Sequence, residues 1–259
     1  MAKWSAFPYP EAKYEYTPAT LKKHWARLHR GDCEPFPKDE AVLAAWMAFH
    51  AGRFQQASEA GLAAGAAGAD VAAKATNIYA NYLEKSEKRK LELFQQVAAR
   101  CEAQQAGDPK NANAFYLYAY SLGRYSQGIS VTKALAQGLG GKVRDALKKA
   151  IELQPRHADA HIALGAFHAE VIDKVGAMIG GVTYGAKRDE GLRLFRKAIE
   201  LNPDSAIARI EYANGLVLLD GKKALAEAEK LYAEAAACEP MDAMERLDVE
   251  TARSEIDDA

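Results

Sequence analysis

Three phrases decide the fold of this chain: Ala146-Leu-Lys-Lys-Ala-Ile-Glu-Leu-Gln-Pro155, Leu194-Phe-Arg-Lys-Ala-Ile-Glu-Leu-Asn-Pro203 and Leu231-Tyr-Ala-Glu-Ala-Ala-Ala-Cys-Glu-Pro240. Each has apolar residues at helical spacing and ends on a proline, which cannot continue a helix and suits the start of the next one. Pro109 ends a similar run, Leu93 to Ala106. Ala150, Ala198 and Ala235 each lie five residues before their proline. Leu147, Phe195 and Tyr232 lie eight before, and Val143, Gly191 and Ala228 twelve before. Small and large residues therefore recur in register, as expected of helices that cross closely at one point and fill space at another.

Outward from these phrases the same texture continues. From Asp39 onward, helix-period segments alternate with short breaks, and no sustained period-2 alternation occurs. Gly61 to Ala75 holds eight alanines and reads as helix. A first helix is expected to start at Thr17-Pro18 and run through Leu21, Trp25 and Leu28 to Gly31. The arm before it carries Trp4, Phe7, Tyr9, Tyr14 and Tyr16 without period, so those aromatics are expected to lie on another surface. Beyond Pro240, Met244, Leu247 and Ile256 fall on an amphipathic helix able to cap a stack. The expected organisation is an all-α chain of ten to twelve helices, with the arm and first helix over residues 1–38 and a single compact repeat domain over residues 39–259.

These phrases resemble the tetratricopeptide repeat, a pair of antiparallel helices of 34 residues. After Pro155, His161, Leu164-Gly165 and His168 fall where the repeat has Trp, Leu-Gly and Tyr. After Pro203 the corresponding residues are Arg209, Tyr212-Ala213 and Leu216. Trp46, Phe49, Gly52, Phe54 and Ala57 resemble the turn of an earlier pair. The spacing departs from the family: Pro109 to Pro155 carries 12 extra residues, Pro155 to Pro203 carries 14 and Pro203 to Pro240 carries three. The two long inserts hold Gly138, Gly140 and Gly141, and Gly176, Gly180, Gly181 and Gly185. Such inserts also resemble those of two divergent branches, the regulator of microtubule dynamics family and the repeat lipoprotein associated with TRAP transporters. The Ile179-Gly-Gly181 and Ile199-Glu-Leu201 phrases are similar to the latter.

Composition excludes several classes. Lys+Arg 34 against Asp+Glu 35 gives a net charge of -1, so a nucleic-acid partner bound through a basic surface is not expected. Cys33, Cys101 and Cys238 are isolated and form no CxxC pair, which fits reduced thiols and a cytoplasmic protein. The opening MAKWSAFPYPEAKY has no apolar signal core, and the longest weakly polar run, Val175 to Ala186, is too short for the ~20 residues of a membrane span.

Chemistry-bearing motifs are sparse. His157, His161 and His168 fall within about 40° of one helical face, with Asp159 and Glu170 nearby, and a His pair at i, i+4 can ligate a metal. Packed histidines are the favoured reading, because His161 and His168 occupy positions where the repeat places packing rings. Gly138-Leu-Gly-Gly-Lys142 fails as a phosphate loop, with Ala136 and Val143 at two required positions. Glu84 to Lys90 is read as a solvated charge run. No GxSxG, HExxH or GxGxxG motif occurs, so neither catalytic residues nor a cofactor or metal are expected.

The resemblance implies a concave groove lined by fixed positions of the first helices: Tyr116 and Tyr120, Ile162 and Ala166, Ile210 and Asn214, joined by Trp46 and Phe49. Only Asn214 matches the Lys/Asn carboxylate clamp of some repeat proteins. The groove is otherwise apolar and aromatic and suits a protein or peptide partner, unless the N-terminal arm or the inserts fill it. The inserts are expected to touch and form a lip from Ile129, Leu135, Leu139, Met178, Ile179 and Val182. The expected function is non-catalytic protein binding or scaffolding, with a small apolar ligand or lipid as the alternative.

Overall fold

A computed structural model describes residues 3–257. It holds fourteen α-helices and three short 3-10 turns, with no strand among the described residues. Fourteen exceeds the expected ten to twelve, in part because each long insert contains a short helix of its own.

α1 (Pro18–Leu28) opens with reciprocal capping between two threonines: Thr20 N–H donates to Thr17 Oγ1 at 3.2 Å, and Thr17 N–H to Thr20 Oγ1 at 2.8 Å. α2 (Glu40–His50) and α3 (Phe54–Ala63) form the first hairpin, and α4 (Ala69–Tyr82) and α5 (Glu87–Gly107) the second. The alanine-rich stretch is not one helix. Gly65, at φ +67°, turns the chain through a 3-10 segment, Gly65–Gly68, between α3 and α4. α6 (Ala112–Gln127) pairs with α8 (Leu139–Leu153), and α7 (Val131–Ala136) lies in the insert between them. α9 (Ala158–Val175) pairs with α11 (Arg188–Leu201) around α10 (Ala177–Tyr184). α12 (Ala206–Asp220) pairs with α13 (Leu225–Ala236), and α14 (Ala243–Asp257) ends the stack. Asn111, His157 and Ser205 cap α6, α9 and α12 two residues after each proline.

The repeated small residues sit at the helix crossings. Ala150, Ala198 and Ala235 are fully buried, and the buried Phe195 ring lies between Gly165 of α9 and Gly215 of α12. The arm packs outside the stack: Trp4 stacks on Tyr79 at 4.1 Å, and Phe7 packs edge-on against Phe54. Tyr16 donates its hydroxyl to the Met241 carbonyl at 2.8 Å, joining the two ends of the chain. On α14, Leu247 is buried while Ile256 is exposed, so the cap holds the stack through its first turns.

Candidate ligand-binding cavity

α4, α6, α9 and α12 are the first helices of successive hairpins, and their inner faces form the concave side. The stretch 27–34, at the end of α1, crosses their N-terminal ends. Asp32 pairs with Lys74 of α4, and Glu34 accepts from Asn113 at the start of α6. Gly31 O accepts from Asp159 N at 3.0 Å at the start of α9, and Arg30 reaches Asp204 just before α12 at 2.6 Å. From the other side, α14 adds Met244, Glu245 and Asp248. Arg27 holds Glu245, and Tyr82 donates to Asp248. The groove is thus partly filled by the chain itself, through this strap and α14 rather than through the aromatic arm.

A cavity of about 390 Å³ remains. On α9 it is lined from Asp159 through Ile162, Ala166 and Glu170 to Lys174. These residues recur every three or four positions, a stripe about 23 Å long at 1.5 Å per residue. The far end is largely apolar: Ile129, Val131, Leu135 and Leu139 from the first insert face Val171, Val175 and Tyr184 around the second, beside the Glu170–Lys174 ion pair. The inserts meet at Gly140, where a Cβ would stand 2.8 Å from the Tyr184 ring, and Arg144 donates to the Tyr184 carbonyl at 3.3 Å.

Of the residues expected to line the groove, Tyr116, Tyr120, Ile162 and Ala166 do line it, as do Ile129, Leu135 and Leu139 of the lip. The others do not. Trp46 and Phe49 are buried core residues packed on each other, because the strap and the arm cover their helix. Ile210 is buried against Val249 and Ala252, since α14 sits on that face of α12; Ile207 and Glu211 face the cavity instead. Asn214 is exposed and accepts from Tyr232 of α13. Met178, Ile179 and Val182 turn outward, with Met178 79% and Val182 86% exposed, because α10 packs on α9 through its opposite side.

The polar end carries residues that the sequence did not single out. Lys74, Asp32, His29, His50 and Asp242 form one buried chain: His29 Nδ1 to Asp32 at 2.9 Å, His29 Nε2 to His50 Nε2 at 3.3 Å, and His50 Nδ1 to Asp242 at 2.7 Å. Burial pushes His29 down to about 4. Burial alone would raise Asp32, but the adjacent Lys74 and His29 hold it well below the usual carboxylate range. Asp159 has no side-chain partner among the described residues, and burial raises it to about 6. Burial also raises Asp248 well above its ordinary value. Arg124 donates to Glu211 at 2.9 Å and lies over the Tyr120 ring. Lys74 was visible in principle: it interrupts the apolar stripe of Val71, Ala75 and Ile78 on α4.

The three histidines of the sequence cluster have separate structural roles. His157 Nδ1 accepts from Ala160 N at 3.1 Å, and its Nε2 meets Asn113 Oδ1 at 2.9 Å. His161 bonds the Pro155 carbonyl, and His168 Nδ1 accepts from Lys187 N. No group of three or more metal-ligating side chains converges among the described residues. No described helix is long and apolar enough to cross a membrane.

Residues 69–256 match the family described as Regulator of microtubule dynamics protein 1-3. The chain belongs to this family. The match runs from α4 into α14 and spans both long inserts. A thermophilic TPR protein of Thermus thermophilus superposes with a TM-score of 0.58 at 17% identity, over 83% of this chain and 98% of that one. A monomeric mutant of IFIT1 with Gppp-AAAA gives a TM-score of 0.46 at 15% identity, over 84% of this chain and 52% of that one. No curated protein matches the sequence. The chain is a divergent tetratricopeptide-like protein of the regulator of microtubule dynamics family.

Proposed function

We propose that this chain is a non-catalytic binding protein that lodges one elongated, largely apolar small molecule inside its helical stack. The observation that carries this reading is the 390 Å³ cavity beneath the inserts, with a largely apolar far end and a polar near end. Its volume falls in the ~300–1,000 Å³ range of small-molecule sites. An α-helix is ~10 Å across with its side chains, and the strap and α14 occupy the room a partner helix would need. Native mass spectrometry of protein purified without detergent tests the reading: a bound mass released on denaturation is expected, together with saturable binding of an apolar fluorescent probe. Ala166→Trp fills the middle of the cavity and should abolish probe binding while the circular dichroism spectrum is unchanged. Equal probe binding by the variant would refute the site.

A second reading, protein binding of the kind a tetratricopeptide-like stack commonly serves, has its own support in the outward face of α10. Met178, Ile179 and Val182 are all exposed there, and a solvent-facing apolar cluster of this kind is a feature of interaction surfaces. On this reading the lip is the docking surface. Met178→Ser with Val182→Ser should then weaken partner capture without changing probe binding in the cavity.

A further inference from the structure

We infer that the ligand of this cavity carries a cationic head, an alkylammonium-type nitrogen held at the Asp159 end with its apolar chain running along α9 under the inserts. This rests on the cavity being the ligand site.

The charge inventory comes first. The cations lining the cavity are already matched by carboxylates: Lys74 by Asp32, Arg124 by Glu211, and Lys174 by Glu170 at 3.2 Å. An anionic head would find none of them free. Asp159 is the reverse case, a carboxylate facing the cavity with no hydrogen-bond or ion-pair partner among the described residues. A half-buried charge in that condition is stabilised when a counter-charge arrives. Its raised proton affinity follows from the same burial.

One orphaned amide points the same way. Asn202 lies at the same end of the cavity, and its buried Oδ1 lacks a donor. Asn77 accepts from Ser121 Oγ at 2.9 Å through its Oδ1, and its Nδ2 is left without an acceptor. The unsatisfied acceptors in the wall are then Asp159 and the Asn202 oxygen. A primary ammonium brings three N–H donors and one positive charge. The rings of Tyr116 and Tyr120, lining the same wall, add aromatic surface of the kind that attracts a desolvated cation.

The test compares three probes of equal chain length, dodecylamine, dodecanol and dodecanoate, each below its micelle concentration, by isothermal titration against the full chain. The amine should bind at least about ten-fold more tightly than either of the others, and Asp159→Asn should remove that preference. Dodecanol or dodecanoate binding as tightly as the amine would overturn the cationic head and leave the cavity reading standing. Failure of all three probes to bind would overturn the cavity reading itself. The head-group series on the unaltered protein decides the matter even if Asp159→Asn does not fold.

Discussion

Gly215→Ala is the sharpest test of how the hairpins stack. A glycine inside a helix costs ~1 kcal/mol relative to alanine, so the substitution would stabilise an unobstructed site. At residue 215 it is obstructed: an added Cβ would stand 2.5 Å from Phe195 Cε2 and 2.7 Å from Cζ. The ring cannot swing aside, because Gly165 packs on it from α9, where a Cβ would approach to 3.0 Å, and Tyr212 stacks on it at 5.4 Å. Overpacking of this kind costs ~1–3 kcal/mol. With the clash at the upper end of that range, the net loss is about 1–2 kcal/mol, or about 3–6 °C in Tm for a chain of this size. Gly123→Ala is the control, since nothing lies within 4 Å of its Cβ position and it sits inside α6. It should gain up to ~1 kcal/mol. Urea denaturation of the two variants should move the midpoints in opposite directions. Phe195→Leu should relieve the Gly215→Ala penalty, so that the double variant is less unstable than the sum of the singles. Equal stabilisation by both alanines would refute the crossing geometry.

Three further outcomes follow from the same packing and electrostatics. Ala198→Leu should destabilise by ~1–3 kcal/mol, since Ala198 is fully buried between α9 and α12 beside Ile162 and Ala208; an unchanged denaturant midpoint would contradict it. His157 is neutral and fully bonded, and burial holds its pKa at about 4 against 6.5; the unfolded chain binds the extra proton first, so this histidine's contribution is intact above pH 6.5 and lost toward pH 4, by up to about 3 kcal/mol. His157→Asn, which keeps a capping side chain, should flatten that acid limb of a stability–pH curve, although Asp159, raised to about 6, contributes with the opposite sign over the same window. Nitrogen-15 NMR of the His29 and His50 rings should find three N–H protons on the pair at neutral pH, and a count of two would break the hydrogen-bond chain deduced for them.

The repeat was legible because it is periodic. Alanines five residues before each proline mark the crossings, and they are buried where expected. Asn111, His157 and Ser205 cap the helices that those prolines precede. The cavity was half legible. Tyr116, Tyr120, Ile162 and Ala166 were placed by counting from Pro109 and Pro155, and the count works because α6 and α9 have the same neighbours on both sides. It fails on α12, where α14 covers Ile210 and shifts the open face to Ile207 and Glu211. The strap has no period at all. Gly31 reads as the end of the first helix, and only the tertiary partners of Gly31, Asp32 and Glu34 reveal that this stretch closes the groove. Met178, Ile179 and Val182 share the composition of core residues. Hydrophobicity alone cannot assign them a direction when the helix packs on its neighbours through one side only.

The closure of the stack has a definite electrostatic logic. Asp32 and Asp242 come from opposite ends of the chain and lie at the two ends of the His29–His50 pair. Each carboxylate takes a proton from an Nδ1, and the Nε2···Nε2 contact needs one more, so the two rings must hold three protons between them. Burial pushes His29 below its ordinary value, and the Asp32 and Asp242 carboxylates flank the pair from both sides. Counting Lys74, the five groups sum to zero: two carboxylates, one ammonium and one shared imidazolium charge. Removing any single member strands a buried charge, an error worth ~3–5 kcal/mol when a buried pair is broken. The network is therefore selective as well as stabilising: it is satisfied only when α1, α2, α4 and the start of α14 meet together. A tetratricopeptide-like stack without such a clasp presents an open groove. With the clasp shut, the same helices enclose a chamber whose wall keeps two carboxylates without a cation of their own: Asp248, which accepts from Tyr82, and Asp159, whose side chain has no hydrogen-bond partner among the described residues.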